Sequence, residues 1–87
     1  MDTITLTGTF TNGVVSLSSQ TIARVKRSAI SAGVRPDYAE LFLSKLSKNL
    51  VMQGWIKQQG NGKAVIYLTI EDGMLSVSSA ISHTSQN

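Results

Sequence analysis

Thr3-Ile4-Thr5-Leu6-Thr7-Gly8-Thr9-Phe10-Thr11 alternates without a break between threonine and a non-hydroxyl residue. A period of two puts Ile4, Leu6 and Phe10 on one face of an extended chain and the threonines on the other. β-Branched threonine suits such a pleated surface. Asn12-Gly13 comes next, a pair that supplies the two positive-φ positions of a tight type I′ turn. Folding back through this turn sets Phe10 opposite Val15 and Gly8 opposite Leu17, while Thr9 meets Ser16 and Thr7 meets Ser18. Both the apolar and the hydroxyl face then continue across the pair, so the register is strongly specified.

Beyond the hairpin the period changes. Ser18 or Ser19 can cap a helix over residues 20–32, where Ile22, Val25 and Ala29 form one stripe, widened by Ala23 and Ile30. Arg24, Arg27 and Ser31 fall on its opposite face. Gly33 suits the left-handed residue that ends a helix. Pro36 belongs in the first turn of a second helix, with Asp37 and Glu40 near its positive end. That helix is expected to run to about residue 53, burying Ala39, Phe42, Leu43, Leu46 and Leu50. Tyr38, Leu41, Lys45, Lys48, Asn49 and Met52 occupy a second flank.

Residues 55–59 read as a strand, Gly60-Asn61-Gly62-Lys63 as a glycine-rich turn, and residues 64–70 as the next strand. Val65-Ile66-Tyr67-Leu68 is apolar on both faces, which marks a central strand. Glu71-Asp72-Gly73 reads as a turn into a last strand over 74–78, and the Ser-rich stretch 79–87 as a mobile tail. The expected architecture is α+β in the order ββααβββ: a single domain over 1–78, with two helices packed on antiparallel β-hairpins.

Composition sets limits on function. A chain of 87 residues has room for one domain and no deep interdomain cleft. Without cysteine it forms no disulfide, thiolate nucleophile or thiolate metal site. Its apolar runs are too short for a membrane helix, and Met1-Asp2-Thr3-Ile4 lacks the pattern of a signal peptide, so a cytosolic protein is expected. His83 is the sole histidine and falls in the expected tail. None of the twelve serines stands in a nucleophile-elbow pattern. Asp37 and Glu40 are better read as helix-dipole partners than as metal ligands, and no glycine-rich loop precedes a helix to hold a phosphate. No enzyme, cofactor or metal is expected.

Charge is the more telling property. All eight Lys and Arg residues lie between Arg24 and Lys63, a segment with two acids and a net charge of +6. The two ends hold only Asp2, Glu71 and Asp72. A basic middle is an electrostatic footprint for a polyanion.

Ala29, Gly33 and Val34, followed by Ala39 and Phe42, resemble the helix-turn-helix pattern of a small residue, a turn glycine and buried apolar positions. Leu46, Leu50, Gly54-Trp55-Ile56, Gly60-Asn61-Gly62-Lys63 and Val65-Ile66-Tyr67-Leu68-Thr69 look like the end of a recognition helix running into the β-wing of a winged helix domain. The similarity covers roughly residues 20–70. It departs from the family where a β-hairpin replaces the usual leading helix, and where Pro36 and Asp37 open the proposed recognition helix.

The resemblance implies double-stranded DNA as partner, with the second helix in the major groove and the hairpin on the flanking backbone. Tyr38, Lys45, Lys48 and Asn49 would then face the groove, and Arg24, Arg27, Lys57 and Lys63 the phosphates. A homodimer is expected, because one small module reaches few bases. The competing expectation is a protein-binding module, such as an inhibitor, an adaptor or a phage or plasmid accessory protein. It would use the exposed flank Leu41, Val51 and Met52, or a sheet edge.

Overall fold

The structure, a computed structural model, describes residues 2–52, 54–56 and 59–84. The chain runs β1 (Asp2–Thr11), β2 (Val14–Ser16), α1 (Ser19–Ser31), α2 (Pro36–Ser44), α3 (Leu46–Met52), β3 (Asn61–Glu71) and β4 (Met74–Thr84). The strands form one antiparallel sheet in the order β2-β1-β3-β4. The protein is therefore α+β, with three helices on one face of a four-stranded sheet.

The first hairpin forms in the expected register, with Thr9 opposite Ser16 and Phe10 opposite Val15. Asn12 and Gly13 hold φ of 49° and 83° in its turn. The second hairpin turns through Asp72 and Gly73, also at positive φ, as the Glu71-Asp72-Gly73 motif implied. β3 is central, lying between β1 and β4.

Alternation along β1 and β3 divides the sheet into two faces. Ile4, Leu6 and Phe10 from β1 and Ala64, Ile66, Leu68 and Ile70 from β3 are buried beneath the helices, joined by Leu75 of β4. Val25 and Ala29 of α1, Ala39 of α2 and Leu46 and Leu50 of α3 close over them, with Val34 and Ile56 from the connections. The other face carries the threonine row of β1 beside Lys63, Val65, Tyr67 and Thr69 of β3, with no cover from the described helices.

Four expectations need correction. The second helix is not continuous: it breaks at Lys45, whose N–H is shared between the carbonyls of Leu41 and Phe42 at 3.2 Å each. The break swings α3 over the β1–β2 hairpin, where Ser47 Oγ accepts from Val15 N–H at 2.8 Å and donates to the Gly13 carbonyl at 3.2 Å. Trp55 and Ile56 do not begin a strand; their N–H groups return to the Leu50 carbonyl and close the end of α3. The remainder of that expected strand includes Lys57 and Gln58, which lie outside the described residues.

The expected Gly60–Lys63 turn is also absent. Asn61, Gly62 and Lys63 are the first residues of β3, opposite Thr11, Phe10 and Thr9. Thr9, Phe10 and Thr11 thereby gain partners, which extends the β1–β3 ladder to ten residue pairs. Finally, β4 does not end at residue 78. It continues to Thr84, with a bulge that leaves Ser78 unpaired between Val77, opposite Leu68, and Ser79, opposite Tyr67. Ser78 Oγ donates to the Tyr67 carbonyl there. The Ser-rich stretch through 84 is thus a strand of the sheet, and residues 85–87 lie outside the described ones.

Candidate nucleic-acid interface

The expected contact residues fall into three groups once the fold is in hand. Arg24 and Arg27 lie on α1, one turn apart and exposed, along the edge of β1 not covered by the short β2. Arg24 Nη2 donates to the Thr5 carbonyl at 3.0 Å, which ties α1 to that edge. Arg27 continues the same line, and with Ser28 and Ser31 it borders an open groove whose far wall is Asp2, Thr3 and Thr5.

Lys45 and Lys48 form the second group, at the corner between α2 and α3, and both are exposed. Asn49 stands next to them but is half-buried, and its N–H returns to the Lys45 carbonyl at 3.1 Å. The helix break moves Lys45 off the regular face that would have aligned it with Tyr38.

The third group is not with the others. Tyr38 turns inward and is half-buried: its ring packs beside Phe42 at a centroid distance of 6.3 Å, and its hydroxyl donates to the Leu75 carbonyl of β4 at 3.2 Å. That bond joins helix to sheet. Lys63 is exposed on the uncovered face of the sheet, opposite Thr9 and His83, and so points away from the helical layer. Lys57 lies outside the described residues.

Two further cations are already paired. Lys26 Nζ reaches Glu40 Oε2 at 3.7 Å between α1 and α2, and Arg35 reaches Asp37 at 3.3 Å at the start of α2. Both pairs are largely solvated and worth little to stability. Their effect is to cancel the two acids of the helical layer, leaving Arg24, Arg27, Lys45 and Lys48 as its net charge among the described residues. The remaining acids, Asp2, Glu71 and Asp72, sit together at one end of the sheet, since Asp2 is opposite Ile70 and the other two lie at the adjoining turn.

The helical layer also exposes apolar side chains. Leu41 and Met52 are 53% and 72% exposed, flanking the Lys45–Lys48 corner. Val51, expected with them, is half-buried. Ser47, which pins α3 to the hairpin, had no signal in the sequence: its role depends on a helix break that no Gly or Pro announces.

Among the described residues no group of three His, Cys, Asp or Glu side chains is placed to hold a metal ion. His83 is exposed on β4. No described helix is long and apolar enough to cross a membrane. No known protein family, no curated protein and no solved structure matches the chain.

Proposed function

We propose that this chain is a small non-catalytic DNA-binding module that holds the phosphate backbone with its helical layer. The partition of charge is the observation that carries the reading. Six of the described cations (Arg24, Lys26, Arg27, Arg35, Lys45 and Lys48) belong to α1, α2, α3 or their caps, while Asp2, Glu71 and Asp72, three of the five acids, are gathered at the end of the sheet that carries the β3–β4 turn. An elongated molecule, 42 Å along its longest axis, with its cations on one layer and acids at one end, approaches a polyanion in one orientation.

In this reading α1 and α2, joined through Gly33, are the helix-turn-helix-like pair. Arg24, Arg27, Lys45 and Lys48 make the phosphate contacts, which supply affinity without sequence information. Tyr38 and Asn49 contribute through packing rather than base contact. The β3–β4 hairpin does not serve as a wing, because Glu71 and Asp72 at its tip repel phosphate.

The test is anisotropy of a labelled random duplex titrated with protein at several salt concentrations. Four phosphate contacts give a log–log salt slope of roughly −3 to −4. Lys45→Glu with Lys48→Glu removes two contacts, so the slope should flatten by about two and affinity should fall. Lys63→Glu, on the opposite face, should leave binding nearly unchanged. Loss of binding in Lys63→Glu alone would sink the assignment to the helical layer.

A second reading rests on Leu41 and Met52. Two large apolar side chains beside two lysines suit an acidic, partly apolar protein partner better than a phosphate backbone does. Absence of duplex binding at low salt, with partner capture abolished by Leu41→Ser and Met52→Ser, would favour it.

A further inference from the structure

The two edges of the sheet are not treated alike. On the β1 side, β2 covers residues 9–11, and beyond it Arg24 occupies the outward carbonyl of Thr5. On the β4 side, Tyr38 occupies the outward carbonyl of Leu75 in the same manner. Both devices block an incoming strand, the usual protection of a sheet edge. Past the bulge at Ser78, β4 has no such device among the described residues. No described helix side chain reaches its backbone there, and residues 79–83, Ser-Ala-Ile-Ser-His, contain no Lys, Arg, Asp or Glu.

We infer that this stretch of β4 pairs with its counterpart in a second copy of the chain, joining two four-stranded sheets into one of eight strands. Register is set by the alternation of an antiparallel ladder. Ser79 and Ile81 face Tyr67 and Val65 with their N–H and C=O directed to β3, so Ala80 and Ser82 direct theirs outward. An antiparallel two-fold pairing centred on Ile81 lets the outward groups of Ala80 bond those of the counterpart's Ser82, and the reverse. Ile81 then meets itself in a non-hydrogen-bonded pair, where side chains approach most closely.

The side chains favour this centre. Ile81 is 49% exposed on the uncovered face of the sheet, and in the same cross-strand row stand Val65 and Thr7. Pairing at Ile81 makes a continuous apolar stripe of Val65, Ile81 and their counterparts, which removes an exposed isoleucine from water. A second copy is the occupant the chemistry selects, because the edge is uncharged and the Ile81 register is self-complementary, as a closed two-fold interface requires. The two-fold axis stands perpendicular to the sheet, so both helical layers lie on the same side. The inference does not depend on DNA binding.

Sedimentation velocity across a range of protein concentrations reads the association directly. The expected result is a species approaching twice the 9.3 kDa chain mass, shifting to the monomer in Ala80→Pro, which removes an outward N–H while sparing the ladder to β3. Because proline can also disturb folding, a second measurement uses the absence of cysteine from the chain. In a non-hydrogen-bonded pair the Cα atoms lie about 4.5 Å apart, within the range a disulfide spans. Ile81→Cys should therefore oxidise to a covalent dimer readily, and Ser76→Cys, on the same strand but out of register, should not. A wild-type chain that stays monomeric throughout, or cross-linking at residue 76 equal to that at 81, would overturn the inference.

Discussion

Replacing Ser47 with alanine removes a side chain that hydrogen-bonds α3 to the first hairpin. Its hydroxyl takes a bond from Val15 N–H at 2.8 Å and gives one to the Gly13 carbonyl at 3.2 Å. Val15 lies on the edge strand β2 and Gly13 in the turn before it, so neither group has a ladder partner on that side, and without Ser47 both depend on water. Each neutral bond contributes about 0.5–1.5 kcal/mol net, and the part-buried site keeps the orphan penalty below its full value. The two together come to about 1–3 kcal/mol. Alanine also has a better helix propensity than serine, by about 0.5 kcal/mol, which works in the opposite direction.

Ser44→Ala isolates that term. Ser44 is exposed and its hydroxyl only returns to the Leu41 carbonyl of its own helix. It carries the same propensity gain and loses nothing between elements. The difference between the two variants in urea or thermal unfolding followed by circular dichroism should be about 1–3 kcal/mol, or roughly 5–20 °C in Tm for a domain of this size. Amide exchange adds a local readout, since Val15 N–H should lose protection in Ser47→Ala only. Equal stability of the two variants, or an unchanged Val15 exchange rate, would refute the idea that this hydroxyl holds the layers together.

Other single contacts give their own expected outcomes. Tyr38→Phe deletes the bond to the Leu75 carbonyl but keeps the ring on Phe42, so it should cost about 0.5–1.5 kcal/mol in urea unfolding and leave duplex affinity unchanged. A fall in affinity at equal fold would return Tyr38 to the interface. Gly62→Ala places a Cβ against the His83 carbonyl and close to the Phe10 ring. It should destabilise by about 1–3 kcal/mol and raise amide exchange at the end of β4, whereas unaltered exchange there would mean the strands separate easily.

How much of the fold is legible in the sequence depends on whether a signal is local. The first hairpin can be read residue by residue because alternation and Asn12-Gly13 agree over a short span. β3 can be recognised as central because Val65 to Leu68 lacks a polar face. The bulge hides the second half of β4: Leu75 and Val77 keep one phase, Ser78 adds a residue, and the chain resumes on Ala80 in the other phase. A reading with a fixed period therefore stops at 78 and takes residues 79–87 for a tail. Gly60 to Lys63 misleads because glycines and asparagine signal a turn locally, whereas pairing with Thr9 to Thr11 is set by residues about fifty positions away. For the candidate site, the exposure of Arg24, Arg27, Lys45 and Lys48 is readable from helical spacing, but the helix break at Lys45 and the inward turn of Tyr38 are not. Both arise from packing against the sheet.

The middle of that sheet joins strands far apart along the chain, with Leu6 opposite Ile66. Closing such a loop costs entropy before any contact rewards it, and chains dominated by distant pairings fold slowly. The β1–β2 hairpin and α1 can organise early from neighbouring residues, as can the β3–β4 hairpin, but the first two have no floor until β3 docks along β1. Through that interval β1 displays an unpaired, alternating Ile-Leu-Phe edge. Pulse-labelled exchange during refolding should find amides of α1 protected before those of β1 facing β3. The step that completes the molecule is thus the docking of the β3–β4 hairpin along β1, and the yield of refolding should fall as protein concentration rises, because a neighbouring molecule can occupy that position first.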